Sequence, residues 1–353
     1  MTNGRSEAAD SADAPAHPSF HPADQQLRAV LQSAIASSPA DGLLLSGGID
    51  STVLAALDAK IPAITVGLSD ESDDIVAARF VAEALGIPWH MVELSRSQAL
   101  EHLRELIKSC NSYNLELINN IPLHVGAQTA RTLGMGSLRT GEFADELFRG
   151  YTYLYDYPNK KFMSEVVARA RRYRPPSAPL FVATGQVGVY TYLSDPVVSY
   201  GARLSREDNV VSQVCLRDGD YHTALNGGPP GARMRRWGKA ALRRAANGLV
   251  PERIVTRPKQ DLMYGSGMMH LEEDLATLVT SNEVDDFEKQ GRWFTPNSRS
   301  AHAGLYKLYI EAGMRPCRPS APDERPCRGC GGAVRPVVGD YCPTCGRYPA
   351  TMP

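Results

Sequence analysis

The sequence predicts an α/β fold with a doubly wound parallel sheet, followed by a helical second half and a small cysteine-rich module. Three observations predict it. From Leu43 to about Tyr151, short apolar runs alternate with longer amphipathic ones, and such alternation places parallel strands between two layers of helices. Residues 156–313 read as mainly helical. Near the end stand two Cys-x-x-Cys pairs, a spacing that binds metal.

The elements follow in order. Residues 1–25 are rich in Ala, Asp, Ser, Pro and His and carry almost no large apolar side chain, so a disordered tail is expected. Helices are expected at 27–36, 51–60, 72–85, 97–109 and 121–134, and strands at 43–46, 62–67, 89–94 and 137–141. Gly86 stands where the third helix should stop, since glycine takes the left-handed terminal position without strain. The α/β part runs over 26–155 and the helical part over 156–313; residues 314–326 have the composition of a linker, and 327–353 form the last module. Arg169, Arg171, Arg172 and Arg174 read as a solvated helix face. Arg233, Arg235 and Arg236 form a second basic cluster, just after a breaker-rich loop at 223–232.

The 353 residues are 43% hydrophobic and 22% charged, ample for a buried core. Lys and Arg total 38 against 39 acidic residues. Without a basic field, a nucleic-acid partner is not expected. No apolar run reaches membrane length, and the N-terminus lacks a basic-then-apolar secretory pattern. A cytoplasmic protein with no membrane partner is expected. Of seven cysteines, four fall in the two pairs, which argues against a disulfide framework and for a reducing compartment.

The most informative stretch is Ser46-Gly47-Gly48-Ile49-Asp50-Ser51-Thr52, directly after the apolar run that ends at Leu45. A strand that turns on glycines into a helix aims backbone N–H groups and a helix dipole at one point, which suits phosphate. Gly47 and Gly48 let the backbone approach a ligand. Ser46, Ser51 and Thr52 add hydroxyls, and Asp50 can hold a divalent cation. The common phosphate loop needs a lysine that is missing here. The string resembles instead the PP-loop of the ATP pyrophosphatases, which implies the adenine nucleotide α-hydrolase-like fold and ATP cleavage between the α- and β-phosphates.

Residues 139–151 read Arg-Thr-Gly-Glu-Phe-Ala-Asp-Glu-Leu-Phe-Arg-Gly-Tyr. They resemble the synthetase domain of asparagine synthetases, with Phe143 in place of a glycine. Further segments resemble that family in the same order: Ile64–Gly67, Asn119–Leu123, Lys239–Arg243, Val250–Ile254 and Arg257-Pro258-Lys259. Tyr264-Gly265-Ser266-Gly267 looks closer to the β-lactam synthetase branch and reads as a loop that closes over the substrate. Arg217–Asp220 stands where the family carries Pro-Phe-Leu-Asp, a departure that bears on the acceptor. The resemblance spans about residues 25–313.

The resemblance implies an ATP-dependent amide-forming ligase that adenylates a carboxylate and lets ammonia or an amine attack the acyl-adenylate. Leu45, Val66 and Gly141 match backbone contacts to the nucleotide, Asp50 and Asp145 match ligands of Mg2+, and Lys259 matches the catalytic lysine. Glu142 stands where the family serves the amine step, whereas β-lactam synthetases carry a tyrosine there. The implied partners are a small-molecule or carrier-bound carboxylic acid and ammonia, an amine or a separate glutaminase. No cysteine precedes Cys110, so glutamine hydrolysis on this polypeptide is not expected, and a tailoring role in specialised metabolism suits such a domain.

Cys327, Cys330, Cys342 and Cys345 sit on two glycine-flanked turns separated by eleven residues. Four thiolates of this kind surround one Zn2+ at about 2.3 Å and leave no open position, so the metal is structural. The module resembles a zinc ribbon and is too small to fold without its ion. The competing reading is a sulfur transferase: the same adenylation followed by attack of a sulfur nucleophile, possibly from a sulfur carrier protein, with the unpaired Cys317 as its candidate thiol. A non-catalytic nucleotide-binding scaffold is the third reading, and the set Asp50, Glu142, Asp145 and Lys259 weighs against it.

Overall fold

Five short strands form the centre of the molecule. The structure, a computed structural model, describes residues 22–204, 211–215, 233–335 and 340–351, with backbone alone at 211–215 and 233–237. Strands β1 (Gly42–Leu44), β2 (Ala63–Gly67), β3 (Trp89–Glu93), β4 (Ser137–Arg139) and β5 (Val187–Val189) pair in the order β3-β2-β1-β4-β5. Every pairing is parallel. The first four are the strands expected from sequence, each shorter by a residue or two. β5 was not foreseen, because Val-Gly-Val is too short to show a period of two.

Side chains that alternate along a strand face opposite layers. Leu43 and Leu45 enter one apolar core, with Val53, Leu54, Ala78 and Val81 from helices α2 (Ile49–Leu57) and α3 (Asp73–Leu85), after α1 (Pro22–Ser37) has supplied Leu27 and Leu31. Leu44 packs on the other core, built on α4 (Arg96–Cys110) and α5 (Leu117–Thr132). This is the doubly wound arrangement. Helix α3 ends at Gly86 in the left-handed conformation, as expected.

Two helix starts differ by four or more residues from the sequence reading. Helix α5 starts at Leu117, not 121, because Asn114 Oδ1 accepts the Glu116 N–H at 3.2 Å and opens the turn earlier; Pro122 then lies in its second turn. The first helix begins at Pro22, where buried Asp24 pairs with Arg244 at 3.1 Å. The tail at 1–21, the Arg217–Asp220 departure, the 223–232 loop and the side chains of Arg233, Arg235 and Arg236 lie outside the described residues.

The second half continues with α6 (Ala144–Leu147), α7 (Asn159–Ala170), α8 (Ser177–Thr184) and α9 (Asp195–Gly201). An antiparallel pair, β6 (Val211–Cys215) and β7 (Arg233–Trp237), precedes α10 (Ala240–Ala246), α11 (Glu252–Val255), α12 (Leu262–Gly265), α13 (Leu271–Thr277), α14 (Ser281–Lys289) and α15 (Arg299–Glu311). Arg169, Arg171, Arg172 and Arg174 are exposed, the solvated face expected of them.

The cysteine module carries the two-residue strands β8 (Arg325–Pro326) and β9 (Ala333–Val334). Its four paired cysteines, Val334 and Ala350 are buried in the core that holds α4 and α5. It also grips the connection between those helices: the Tyr113 N–H donates to Thr344 O at 2.8 Å, Ser112 Oγ donates to Pro343 O at 2.8 Å, and Asn114 Nδ2 donates to the Tyr341 hydroxyl. No helix among the described residues is long and apolar enough to cross a membrane.

Candidate active site

The carboxyl ends of β1, β2 and β4 open on one cleft of about 550 Å³, where ligands bind in open parallel sheets. The turn after β1 has to be glycine at position 47. Gly47 has φ 66°, and a Cβ there would stand 2.5 Å from the Cβ of Ala77 on α3. Ser46 N–H donates to Ser51 Oγ at 3.2 Å, the Ser46 and Ser51 hydroxyls lie 3.3 Å apart, and Gly48 N–H donates to Ser46 Oγ at 3.3 Å. Two hydroxyls and the positive end of α2 thus face the same space. Ser46, Gly48, Asp50 and Ser51 line the cleft, as do Leu45, Val66 and Gly141; Gly47 and Thr52 lie behind it.

Asp50, from the first turn of α2, and Asp145, from α6, meet on one buried lysine. Lys239 Nζ lies 2.5 Å from Asp50 Oδ2 and 2.8 Å from Asp145 Oδ1. Gly150 permits this, since a Cβ there would run into Asp145 Oδ1 and Lys239 Cε. Lys239 itself has φ 61°, a strained value for a residue with a side chain, and is held by its N–H donating to Phe148 O at 2.9 Å. Burial pushes the Asp50 carboxyl up despite Lys239. Burial also opposes ionisation of Asp145, but Lys239 and Lys259 prevail and hold it below the usual carboxylate range. Asp50 Oδ1 is buried without a hydrogen-bond partner among the described residues. An acidic oxygen left open in this way fits Mg2+.

Lys259 approaches the same pair from the far side. Its Nζ is 3.9 Å from Asp145 Oδ1 and 2.5 Å from Asp261 Oδ1, and stands 5.2 Å over the Tyr151 ring. Arg257 fastens the turn to α3, donating to Ser46 O and to Asp74 Oδ1, each at 3.1 Å. Burial pushes the Asp74 carboxyl up to about 6 even with Arg257 beside it.

Glu142 occupies the opposite wall. Thr140 Oγ1 donates to its Oε2 at 2.9 Å, Ser177 N–H donates to Oε1 at 3.2 Å, and the Ser177 hydroxyl donates to Oε2. That hydroxyl is also 3.0 Å from the Tyr190 hydroxyl. Burial pushes the Glu142 carboxyl up, and these hydrogen bonds only moderate the rise.

Of the expected closing loop, Tyr264 alone borders the cleft, about half exposed. Gly265 belongs to α12 and packs on the Asp74 carboxylate. Ser266 is fully buried, its carbonyl accepting the Leu68 N–H at 2.9 Å, and Gly267 lies beside Ser72. The idea that Ser266 and Gly267 close over a substrate is therefore corrected: the 266 carbonyl is tied to the backbone after β2, which turns both away from the cleft.

The four ribbon cysteines converge as well. Cys327 and Cys345 have sulfurs 3.7 Å apart, and those of Cys330 and Cys342 are 3.5 Å apart. A tetrahedral ion with ligands at about 2.3 Å sets sulfurs about 3.8 Å apart. The Gly329 N–H donates to Cys327 Sγ at 3.2 Å and the Gly332 N–H to Cys330 Sγ at 3.3 Å, bonds that stabilise thiolate. The donor set fits Zn2+.

A family model described as asparagine synthase matches residues 24–187 and 192–308. The chain belongs to the asparagine synthase family. It is 28% identical over 163 residues to asparagine synthetase B [glutamine-hydrolyzing] of Escherichia coli (strain K12), covering 41% of this chain and 29% of that protein. It is 32% identical over 143 residues to asparagine synthetase [glutamine-hydrolyzing] 2 of Oryza sativa subsp. japonica, covering 36% and 24%. The chain thus spans under a third of the length of these curated relatives, and its cysteine module lies beyond the residues that match the asparagine synthase model.

This asparagine synthase family member departs from the expected motif at Phe143, and the backbone explains why a glycine fits there. Phe143 has φ 75°, a left-handed value that costs glycine nothing. Here the strain is offset by burial of the ring, which is 1% exposed and meets Tyr173 edge-on at 4.9 Å. Sequence reasoning had missed Lys239, Arg257, Ser177 and Tyr190 as parts of the site. Lys239 and Arg257 opened two of the segments that resembled the family. Ser177 and Tyr190 carried no signal, because Ser177 meets Glu142 across distant chain and Tyr190 meets Ser177 just beyond the unforeseen β5.

Proposed function

We propose that this asparagine synthase family member is an ATP-dependent, AMP-forming carbon–nitrogen ligase. It adenylates a carboxylic acid and joins the acyl group to ammonia or an amine. One observation carries the reading: Asp50 and Asp145 converge on Lys239 at the mouth of the glycine turn, with Lys259 and Glu142 facing the same cleft.

Asp50 and Asp145 would hold Mg2+, which when bound offsets charge on the phosphates. An oxygen of the acid attacks the α-phosphorus, the bond to the β-phosphate oxygen breaks, and pyrophosphate leaves against the Ser46–Ser51 turn. Lys239 and Lys259 supply positive charge where negative charge develops. The amine then attacks the acyl carbon, AMP departs, and Glu142 takes the proton that the amine loses. The matched region forms the synthetase unit and residues 327–353 a zinc-bound module. A cytoplasmic tailoring step in specialised metabolism is the setting this chemistry suits.

The sulfur-transfer alternative gains nothing from the cysteines. Cys317 is exposed, accepts a hydrogen bond from Asn111 Nδ2 at 3.2 Å, and does not line the cleft.

Acid-dependent exchange of labelled pyrophosphate into ATP, measured across a panel of carboxylic acids, tests the reading. Release of ADP and orthophosphate would overturn it. Lys259→Ala is expected to lower exchange by about 10²- to 10³-fold, the usual cost of one preorganised charge at a reacting centre. Glu142→Gln is expected to spare exchange and suppress amide formation. The raised Glu142 carboxyl must ionise to act as a base, so amide formation in the wild type should rise with pH above the usual carboxylate range. A pH profile of product formation should show that limb missing in the variant.

A further inference from the structure

A second group of metal-ligand side chains lies outside the cleft. His102 and Glu105 stand one turn apart on α4, and His124 faces them from α5. His124 Nε2 is 3.0 Å and His102 Nδ1 is 3.5 Å from the same oxygen, Glu105 Oε2. One ligand atom from each residue falls within 4.8 Å of the other two. A tetrahedral ion with nitrogen and oxygen ligands at about 2.1 Å spaces them about 3.4 Å apart, so both histidine nitrogens already stand near ligand spacing from the Glu105 oxygen.

Burial adds an independent observation. His102 Nδ1 is buried, and its contact with Glu105 Oε2 is long for a hydrogen bond at 3.5 Å. A cation between the three groups would replace that long contact with a direct bond to the nitrogen. Glu105 is 57% exposed at its side chain, so ions reach the cluster from solvent. Gln128 Nε2 lies 3.0 Å from His124 Nε2 and has to turn aside, or present its oxygen, when an ion enters.

We propose that His102, Glu105 and His124 bind one divalent cation of the zinc class, leaving a fourth position open to water. Two imidazoles and one carboxylate suit Zn2+, Co2+ or Ni2+ better than Mg2+ or Ca2+. The bound ion ties α4 to α5. Nothing in the proposal depends on the ligase reading.

The test uses the full chain with its ribbon already loaded with zinc. Calorimetric titration with Zn2+ at neutral pH is expected to show one further equivalent. A parallel titration with Co2+ should give weak visible bands of nitrogen and oxygen ligation, unlike the intense bands of thiolates. The equivalent should vanish in His102→Ala and in Glu105→Gln, both partly exposed positions where folding is kept, and persist in Cys317→Ser. Saturation of the wild type at the ribbon alone would overturn the proposal. So would an additional equivalent that survives both substitutions unchanged.

Discussion

Lys239→Ala is expected to destabilise the protein by about 3–5 kcal/mol, because it strands two buried carboxylates that share one ammonium. A hydrophobic replacement of similar length, Lys239→Met, should recover packing but not charge, and should remain well below the wild type in thermal unfolding. Mg2+ provides the discriminating arm. With Lys239 gone, only the more distant Lys259 offsets Asp50 and Asp145, so added Mg2+ should raise the melting temperature of the variant more than that of the wild type. Equal effects of Mg2+ on both proteins would show that the carboxylate pair does not hold the ion.

Cys342→Ser is expected to unfold the cysteine module and to weaken the rest of the chain with it. Structural zinc supplies the folding energy of such modules, about 10–16 kcal/mol of binding free energy in isolated zinc-finger peptides. The body also loses the hydrogen bonds that Thr344 and Pro343 accept from Tyr113 and Ser112, about 1 kcal/mol each, and Tyr113 loses its cover. With about 1.5–3 kcal/mol for exposing a large buried side chain, a fall of about 3–5 kcal/mol in stability of the main body is expected. Metal analysis should give at least one zinc fewer per chain, and unfolding in a strong chelator should reproduce the loss in the wild type. A variant that melts like the wild type would mean that the module and the body are energetically independent.

Much of the fold was legible because it is local. Apolar runs at Leu43–Leu45 and Ile64–Gly67, the glycine turn at 46–48 and the stop at Gly86 each state their conformation within a few residues. The two walls of the cleft were legible in part, since Asp50, Glu142, Asp145 and Lys259 sit in motifs. What failed to show were residues that act through contacts made by distant chain. Lys239 becomes a site residue only when its strained backbone delivers it to two aspartates far back in sequence. Ser177 reaches Glu142 from α8, and Tyr190 meets Ser177 just after β5 has joined the sheet beside β4. The grip of the cysteine module on residues 112–114 left no trace either, because hydrogen bonds to backbone carbonyls have no compositional signature.

That grip has an outcome for the shape of the cleft. Residues 111–116 lead straight into α5, whose Asn119, Pro122 and Leu123 wall the cleft, while the glycine turn after β1 rests on the opposite core. The C-terminal knot is thus an outside brace for one wall only. A chain whose module has come apart should first lose the shape of that wall, and keep the glycine turn at 46–48 in place after the wall has loosened.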